Sequence, residues 1–248
     1  MTLLSIFFFI TAAIYSSVGF GGGSTYLALL LISNIPYTIF PMIALCCNII
    51  VVSGNCINYI RANNFSFKFL LPYLIGSVPF AFIGGSLQLD KFFFEIFLFL
   101  VLCVAGILLL INFKIYDDKQ ITYRKVPHTG AVLLGSVLGF ISGIVGIGGG
   151  IFLSPILFLL KAGRPKIIIT SASIFILINS VSGVFGQLTK SEVITEFLSY
   201  WPLLLAVLIG GQIGNFINLK LLPNKVLALI TSLLVIFVAI RMGVKIFY

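Results

Sequence analysis

The sequence has very few charged residues, and this shortage decides the solvent in which the chain folds. Only 8% of the 248 residues are charged, whereas 60% are hydrophobic, and the mean hydropathy is +1.22. A soluble domain carries about 25% charged residues. The composition therefore excludes an ordinary soluble domain and predicts a protein embedded in the lipid bilayer.

Residue types that bind metals or act as catalysts are also scarce. There is one histidine, and the cysteines lie in apolar segments without C-x-x-C spacing or histidine neighbours: Cys46, Cys47, Cys56 and Cys103. Such cysteines predict neither disulfides nor a zinc site. The sequence has no P-loop and no nucleophile elbow, and no apolar segment has an ionisable residue at its centre. We expect no enzyme, no catalytic residue, no metal site, no cofactor and no carboxylate proton relay.

Long apolar segments are what the sequence does contain. Six of them are long enough to cross a hydrocarbon core of about 30 Å: 38–60, 67–87, 92–113, 166–186, 197–219 and 226–247. The N-terminal run 1–18 lacks the basic start and the cleavage site of a signal peptide, so we expect a further membrane helix there. The alternating ten-residue segments of a transmembrane barrel are missing. The predicted fold class is all-α, a polytopic membrane protein.

A glycine cluster occurs twice, each time at the end of an apolar run. The first copy is Gly19-Phe20-Gly21-Gly22-Gly23, and the second, 127 residues later, is Gly146-Ile147-Gly148-Gly149-Gly150. The identical spacing predicts an internal duplication. We expect a single transmembrane domain over 1–248, composed of a first repeat 1–113, a polar cytoplasmic linker 114–127 and a second repeat 128–248.

Each cluster is followed by an apolar arm of about ten residues, 24–33 and 151–160. Ten helical residues rise only about 15 Å, which is half of the hydrocarbon core. Either the turn residues complete a full span, or the helix breaks at the glycines and returns as a half-helix, which is the simpler solution. Whichever alternative holds, three further spans follow the arm in each repeat, so the two repeats have opposite orientations in the membrane. Inverted repeats with interrupted helices are typical of secondary transporters.

The basic residues predict which side of the membrane is cytoplasmic. When the spans alternate, eleven lysines and arginines fall on one side and four on the other, and the richer side faces the cytoplasm. We therefore expect a multi-pass protein of the cytoplasmic membrane with both termini external. Topology explains the formal charge of +9, so nucleic-acid binding is not expected. The cytoplasmic set is Arg61, Lys68, Lys114, Lys119, Arg124, Lys125, Lys161, Arg164, Lys166, Lys220 and Lys225; the external set is Lys91, Lys190, Arg241 and Lys245.

The glycine clusters are also the candidate substrate site. A helix that begins at such a break has free N–H groups and about half a positive charge at its N-terminus, and glycine lets an anion approach the backbone closely. Two such N-termini that meet near the midplane would form an anion site; the alternative is that the glycines only permit close helix packing. The candidate residues are Gly21, Gly22, Gly23, Ser24 and Thr25 in the first repeat, and Gly148, Gly149, Gly150 and Ser154 in the second.

Two intramembrane asparagines, Asn55 and Asn179, are further candidates for substrate contact. Aligning Pro41 with Pro165 pairs Asn55 with Asn179, whereas another alignment pairs Asn48 with Asn179. Amides in hydrocarbon need partners, so these residues either bind substrate or tie helices together. Asn179 belongs to the richest polar stripe of the sequence, which comprises Thr170, Ser171, Asn179, Ser180 and Gln187.

The two glycine clusters, the segment Ile151-Phe152-Leu153-Ser154-Pro155 and the segment Gly210-Gly211-Gln212-Ile213-Gly214 resemble the TauE/SafE family. The resemblance covers nearly the whole chain and implies a transporter of small sulfur-containing anions, such as sulfite or an organosulfonate, in the cytoplasmic membrane. After its glycine cluster the first repeat instead has Ser24-Thr25-Tyr26-Leu27-Ala28, which predicts an asymmetric site.

We expect a secondary transporter that binds a small anionic substrate between the glycine clusters and works by alternating access. An anion channel and a transporter of another small anion are the alternatives, and assembly as a homo-oligomer is left open.

Overall fold

A computed structural model gives the fold of the chain. It describes residues 1–33, 35–62, 65–112, 123–190 and 193–218, together with residues 236, 240, 243 and 244. Most of the expected linker 114–127 and nearly all of the last apolar segment 226–247 therefore lie outside the described residues.

All regular structure in the described ranges is helical, which confirms the all-α fold class. A short 3₁₀ turn, Tyr37–Ile39, precedes the third helix. The α-helices are α1 (Thr2–Val18), α2 (Gly23–Ile32), α3 (Phe40–Arg61), α4 (Phe67–Ser86), α5 (Lys91–Asn112), α6 (His128–Val145), α7 (Gly150–Leu159), α8 (Pro165–Gln187), α9 (Val193–Leu198) and α10 (Trp201–Asn218).

The expected spans correspond to these helices with small shifts at their ends. The segments 38–60, 67–87, 92–113 and 166–186 match α3, α4, α5 and α8. The segment 197–219 is the exception, because it includes the end of α9 and a turn before α10 begins at Trp201. Proline in the first turn of α10, Pro202, has no N–H to donate back into α9, which disfavours a continuous helix there.

Helix length and surface composition both fit a membrane protein. Among the described residues, four segments are long and apolar enough to cross a bilayer: Tyr37–Arg61, Phe67–Ser86, His128–Val145 and Lys166–Gln187. Large apolar side chains lie on the outside, since Phe92, Leu133 and Phe216 are 63%, 67% and 66% exposed. Lipid tails are the natural neighbours of such a surface, because water would leave this apolar area unfavourably hydrated.

Glycines bring several pairs of helices into backbone contact, among them α4 with α6, α4 with α8 and α10 with α1. A Cβ on Gly84 would lie 2.4 Å from the carbonyl oxygen of Phe140, and a Cβ on Gly214 would lie 2.2 Å from that of Ala13. Close approach through small residues is the usual basis of helix association in lipid. Ala13 and Phe140 are separated by the same 127 residues as the two glycine clusters.

Helices α3 and α8 occupy the centre of the molecule. They pack against each other, and in addition α3 packs on α10 and α2 whereas α8 packs on α4, α6 and α7. Their most apolar windows are 72% and 67% buried inside the protein, compared with 39% for α4. The two central helices therefore carry the side chains that face the interior rather than lipid.

Adjacent glycines in α10 test the backbone contact with α1. Gly210→Ala would place a Cβ 2.3 Å from the carbonyl oxygen of Phe9, whereas Gly211→Ala would meet Val51 at an ordinary 3.6 Å. Overpacking of this kind costs about 1–3 kcal/mol, so Gly210→Ala is expected to lower the thermal midpoint by about 2–10 °C. Labelling of the buried cysteines by a thiol-reactive dye during a temperature ramp measures this midpoint.

The matched variant Gly211→Ala is expected to unfold within about 1 °C of the unmodified protein. Equal midpoints for the two alanine variants would contradict the direct backbone contact between α1 and α10.

Candidate functional site

The two glycine clusters interrupt the helices with nearly the same backbone conformation. Gly19 ends α1 with φ 86° and ψ 17°, and Gly146 ends α6 with φ 88° and ψ 17°. Gly22 and Gly149, which precede α2 and α7, also have positive φ, 84° and 74°. L-residues with a side chain rarely adopt this conformation. We call residues 19–22 the first break and residues 146–149 the second break.

The short helix after the first break folds back beside the helix before it. The hydroxyl of Tyr15 in α1 is hydrogen-bonded to that of Thr25 in α2, with 2.7 Å between the oxygens. The rings of Phe8 and Tyr26 stack with their centroids 4.8 Å apart. Helices α2 and α7 each contain 10 residues, a rise of about 15 Å. Neither is long enough by itself to cross the hydrocarbon core.

The two breaks lie next to each other, and Asn48 of α3 lies between them. A Cβ on Gly23, the first residue of α2, would lie 3.0 Å from both Cα and O of Ile147 in the second break. The same Cβ would lie 2.8 Å from Nδ2 of Asn48, and a Cβ on Gly148 would lie 3.0 Å from that atom. The sequence-predicted glycines of both repeats are thus brought together.

Each break is held by a central helix of the other half of the chain. Asn48 Nδ2 of α3 donates a hydrogen bond to the carbonyl oxygen of Gly146 at 3.2 Å. Ser173 Oγ of α8 donates to the carbonyl oxygen of Gly19 at 2.5 Å. A buried carbonyl at the end of a broken helix needs such a donor, because hydrocarbon offers none.

The amide groups after each break are buried donors without an acceptor. Within the described part of the chain, the N–H groups of Gly21 to Ser24 and those of Gly148 to Ile151 donate no hydrogen bond, although the unpartnered Oδ1 of Asn48 lies beside Gly21. All of these residues are buried. Buried backbone N–H groups in proteins are nearly always paired, with protein, water or a ligand. Both breaks therefore have the donors that an anion requires.

Serine hydroxyls add to the donors around the second break. Ser180 Oγ would lie 3.1 Å from a Cβ on Gly148, and Ser142 Cβ would lie 3.5 Å from a Cβ on Gly149. Both hydroxyl oxygens are buried and have no hydrogen-bond partner among the described residues. A serine hydroxyl can rotate to donate to an oxyanion. The side chains that contact the breaks include none from Asp, Glu, Lys, Arg or His in the described chain.

The two asparagines expected to bind substrate occupy different positions. Asn179 Nδ2 donates to the carbonyl oxygen of Phe175 in its own helix at 2.8 Å, which leaves its buried Oδ1 as an acceptor without a partner in the described chain. Asn55 lies on the same face of α3 as Asn48 and Tyr59, by helical spacing, and the Tyr59 hydroxyl reaches Gly19. Asn55 is therefore on the face of α3 that meets the breaks, whereas the unpartnered atom of Asn179 is a hydrogen-bond acceptor, which does not suit an anion.

The remaining predicted residues are buried near the breaks. Ser24 lies in the first turn of α2, and Ser154 lies one turn into α7. The Thr25 hydroxyl is already engaged with Tyr15. Sequence reasoning missed Ser173, and it treated Asn48 only as an alternative alignment partner. The seven-residue spacing of Asn48 and Asn55, which places both on one helix face, was a usable signal for Asn48.

Comparisons with known proteins find sequences that are similar to nearly the whole chain. The profile of the family described as "Sulfite exporter TauE/SafE" matches residues 4–242. A probable membrane transporter protein of Sinorhizobium fredii, y4hK, is 30% identical, with 96% of each chain covered. The probable membrane transporter protein YunE of Bacillus subtilis is 23% identical, over 97% of this chain and 96% of its own. The probable membrane transporter protein MJ0441 of Methanocaldococcus jannaschii is 26% identical, over 94% and 92%. No solved structure matches the chain.

Removal of the Ser173 hydroxyl tests the contact that holds the first break. Ser173→Ala leaves the carbonyl oxygen of Gly19 without its side-chain donor, at a cost of about 1–3 kcal/mol. We expect faster amide hydrogen exchange over residues 19–26 and a lower thermal midpoint. The control is Ser53→Ala, because Ser53 Oγ donates only to the carbonyl oxygen of Ile50 in its own helix. Equal exchange in the two variants would contradict the assigned role of Ser173.

Proposed function

The chain belongs to the sulfite exporter TauE/SafE family, and we propose that it is a secondary transporter that carries a small sulfur-containing anion across the cytoplasmic membrane by alternating access. Its sequence relatives are named probable membrane transporter proteins. The proposed substrate class is sulfite, a sulfonate or a related organosulfur anion.

The observation that carries this proposal is the pair of adjacent breaks with buried, unpaired amide donors. Gly21 to Ser24 supply one set of buried N–H groups that donate no hydrogen bond in the described chain, and Gly148 to Ile151 supply the other. Sulfite and sulfonates present three oxygens that each accept hydrogen bonds, which suits donors arriving from two sides. The partial positive charges of the two helix N-termini would compensate the negative charge of the substrate.

The asparagine and serine side chains take different roles in this site. One N–H of the Asn48 amide donates to the carbonyl oxygen of Gly146, so the role that we assign to Asn48 is to position the second break. Ser180 and Ser142 have unpaired hydroxyls beside the same break, and these are the side-chain donors that we assign to the substrate. Ser24 Oγ, which is also buried without a hydrogen-bond partner in the described chain, is the hydroxyl that we assign to the substrate at the first break.

Helix directions support the inverted repeat and suggest what moves. Gly76 faces Val132 and Gly84 faces Phe140, so α4 and α6 run parallel. Helix α8 also runs parallel to α4, because Gly186 contacts Phe82 and Ser182 Oγ donates to the carbonyl oxygen of Val78. One bundle thus consists of α4, α6 and α8.

The other bundle consists of α1, α3 and α10. Helix α10 runs parallel to α1, because Gly210 contacts Phe9 and Gly214 contacts Ala13. It also runs parallel to α3, because Gly211 contacts Val51 and Asn215 contacts Gly54. The two bundles meet at α3 and α8, where the breaks lie. We infer that alternating access is a movement of these bundles against each other, which exposes the anion to one side at a time.

Sided labelling tests the proposed topology. We expect a membrane-impermeant maleimide to label Gln88→Cys and Thr2→Cys in intact cells, because both positions fall on the predicted external side. Lys125→Cys is expected to react only after the membrane is permeabilised, since 123–127 fall on the cytoplasmic side. Labelling of Lys125→Cys in intact cells, with Gln88→Cys protected, would reverse the orientation.

Anion flux into liposomes that carry the purified protein tests the proposed site. We expect saturable flux of sulfite or of a small organosulfonate. Leucine at Gly22 or Gly149, both at positive φ, is expected to abolish it. Ser180→Ala is expected to raise KM on the order of tenfold, because it removes one hydrogen bond to a charged ligand.

The matched control is Ser136→Ala, since Ser136 Oγ donates to the carbonyl oxygen of Val132 in its own helix; its KM is expected to stay unchanged. Unchanged flux in folded Gly22→Leu and Gly149→Leu proteins would overturn the site, and fast flux without saturation would favour a channel.

A further inference from the structure

A cavity of about 360 Å³ lies beside the second break and is separate from the site described above. Tyr37 and Thr38 of the turn before α3 form part of its wall, and Gln88 and Asp90 of the connection between α4 and α5 form another part. Lys190, which follows α8, completes the polar lining. The volume is sufficient for an anion the size of a small sulfonate together with several waters.

The base of the cavity reaches the second break. Pro41 and Ile144 both belong to its wall. A Cβ on Gly146 would lie only 2.7 Å from Cα of Pro41. Pro41 and Asn48 occupy one face of α3, about 10 Å apart along the helix. An anion in the cavity is therefore about two helical turns from the point where the two breaks meet.

Lys190 brings a positive charge to this cavity and has no ion-pair partner among the described residues. Its Nζ donates a hydrogen bond to Oε1 of Gln187 at 3.0 Å, and Nε2 of Gln187 donates to the carbonyl oxygen of Gly143 at 3.4 Å. Both acceptors are neutral. Asp90 and Tyr37 are the other titratable groups on the wall, and neither forms an ion pair or hydrogen bond with Lys190 in the described chain.

We propose that the cavity is a vestibule in which Lys190 concentrates small oxyanions at the mouth of the path to the glycine breaks. The identity of the transported anion rests on the function proposed above, but the vestibule itself requires only a small anion. A positive charge at the entrance raises the local concentration of anions and repels cations. Gln187 fixes the ammonium group towards the end of α6, next to the second break.

The charge of Lys190 makes this effect dependent on pH. Burial lowers the pKa of Lys190 to about 8, because a half-buried ammonium group is poorly solvated. The ammonium is charged below this pKa and neutral above it. Attraction of anions is therefore expected to be present at pH 7 and to disappear as the pH rises through about 8.

Charged thiol reagents measure the vestibule without any need for transport. The experiment uses Gln88→Cys protein in lipid nanodiscs and two methanethiosulfonates, one with an anionic sulfonatoethyl group and one with a cationic trimethylammonioethyl group. The ratio of the anionic rate to the cationic rate cancels the thiolate fraction and reports the local potential. Protein without the introduced cysteine supplies the background from the four native thiols.

We expect Lys190→Gln to lower this ratio about three- to tenfold at pH 7. The ratio of the protein that retains Lys190 is expected to fall to the Lys190→Gln value by pH 9.5. Lys190→Arg is expected to keep the ratio high over the whole range, because guanidinium stays protonated. Asp90→Asn is expected to raise the ratio, and Thr2→Cys, at the start of α1, serves as a reporter that Lys190→Gln leaves unchanged.

A transport measurement separates failure of the vestibule from failure of the proposed function. Methanesulfonate is the probe, since it remains a monoanion between pH 7 and 9.5. We expect Lys190→Gln to raise its KM about threefold at pH 7 with kcat unchanged. An equal rate ratio in Lys190 and Lys190→Gln proteins would overturn the vestibule even where flux is observed. Absence of flux for sulfite and methanesulfonate, with a ratio that depends on Lys190, would overturn the proposed function and keep the vestibule.

Discussion

The structure depends on one constraint, which is that a broken backbone inside hydrocarbon must find its hydrogen-bond partners within the protein. Helices α1 and α6 stop at Gly19 and Gly146, and each stop leaves a carbonyl that the helix no longer pairs. Ser173 and Asn48 supply the missing donors. These two contacts explain why α8 and α3 occupy the centre and why each crosses the break of the opposite half.

The same constraint leaves the amides on the far side of each break unsatisfied. The carbonyls of Gly19 and Gly146 are paired by the protein, whereas the N–H groups of Gly21 to Ser24 and Gly148 to Ile151 donate no hydrogen bond in the described chain. The interior thus has an excess of donors at one place. An excess of buried donors without a fixed cation is a neutral environment that favours an anion, and it allows the anion to leave again because no salt bridge holds it.

The sequence was sufficient to predict the helices and the breaks, since both follow from local patterns. The length of the apolar segments predicted the spans. The repeated glycines predicted the interruptions, and the expected starts of the two arms lie within one residue of the observed starts of α2 and α7. The partners of the breaks were beyond its reach, because Asn48 is 98 residues from Gly146 and Ser173 is 154 residues from Gly19. The role of Asn179 was also out of reach, because it depends on which end of the amide is already paired. Lys190 was counted only as an external charge, since its cavity is built by residues from four separate parts of the chain.

The exchange of partners between the halves determines when folding can be completed. Helix α1 finds its backbone contact in α10, and α6 finds its contact in α4. During synthesis α1 therefore enters the membrane about 200 residues before α10 has been made. Until then, the face of α1 that contacts α10 is exposed to lipid. Neither half can close alone, so assembly is completed only when the second half has been inserted. A chain that stops after the first repeat would keep two contact faces open, one on α1 and one on α4.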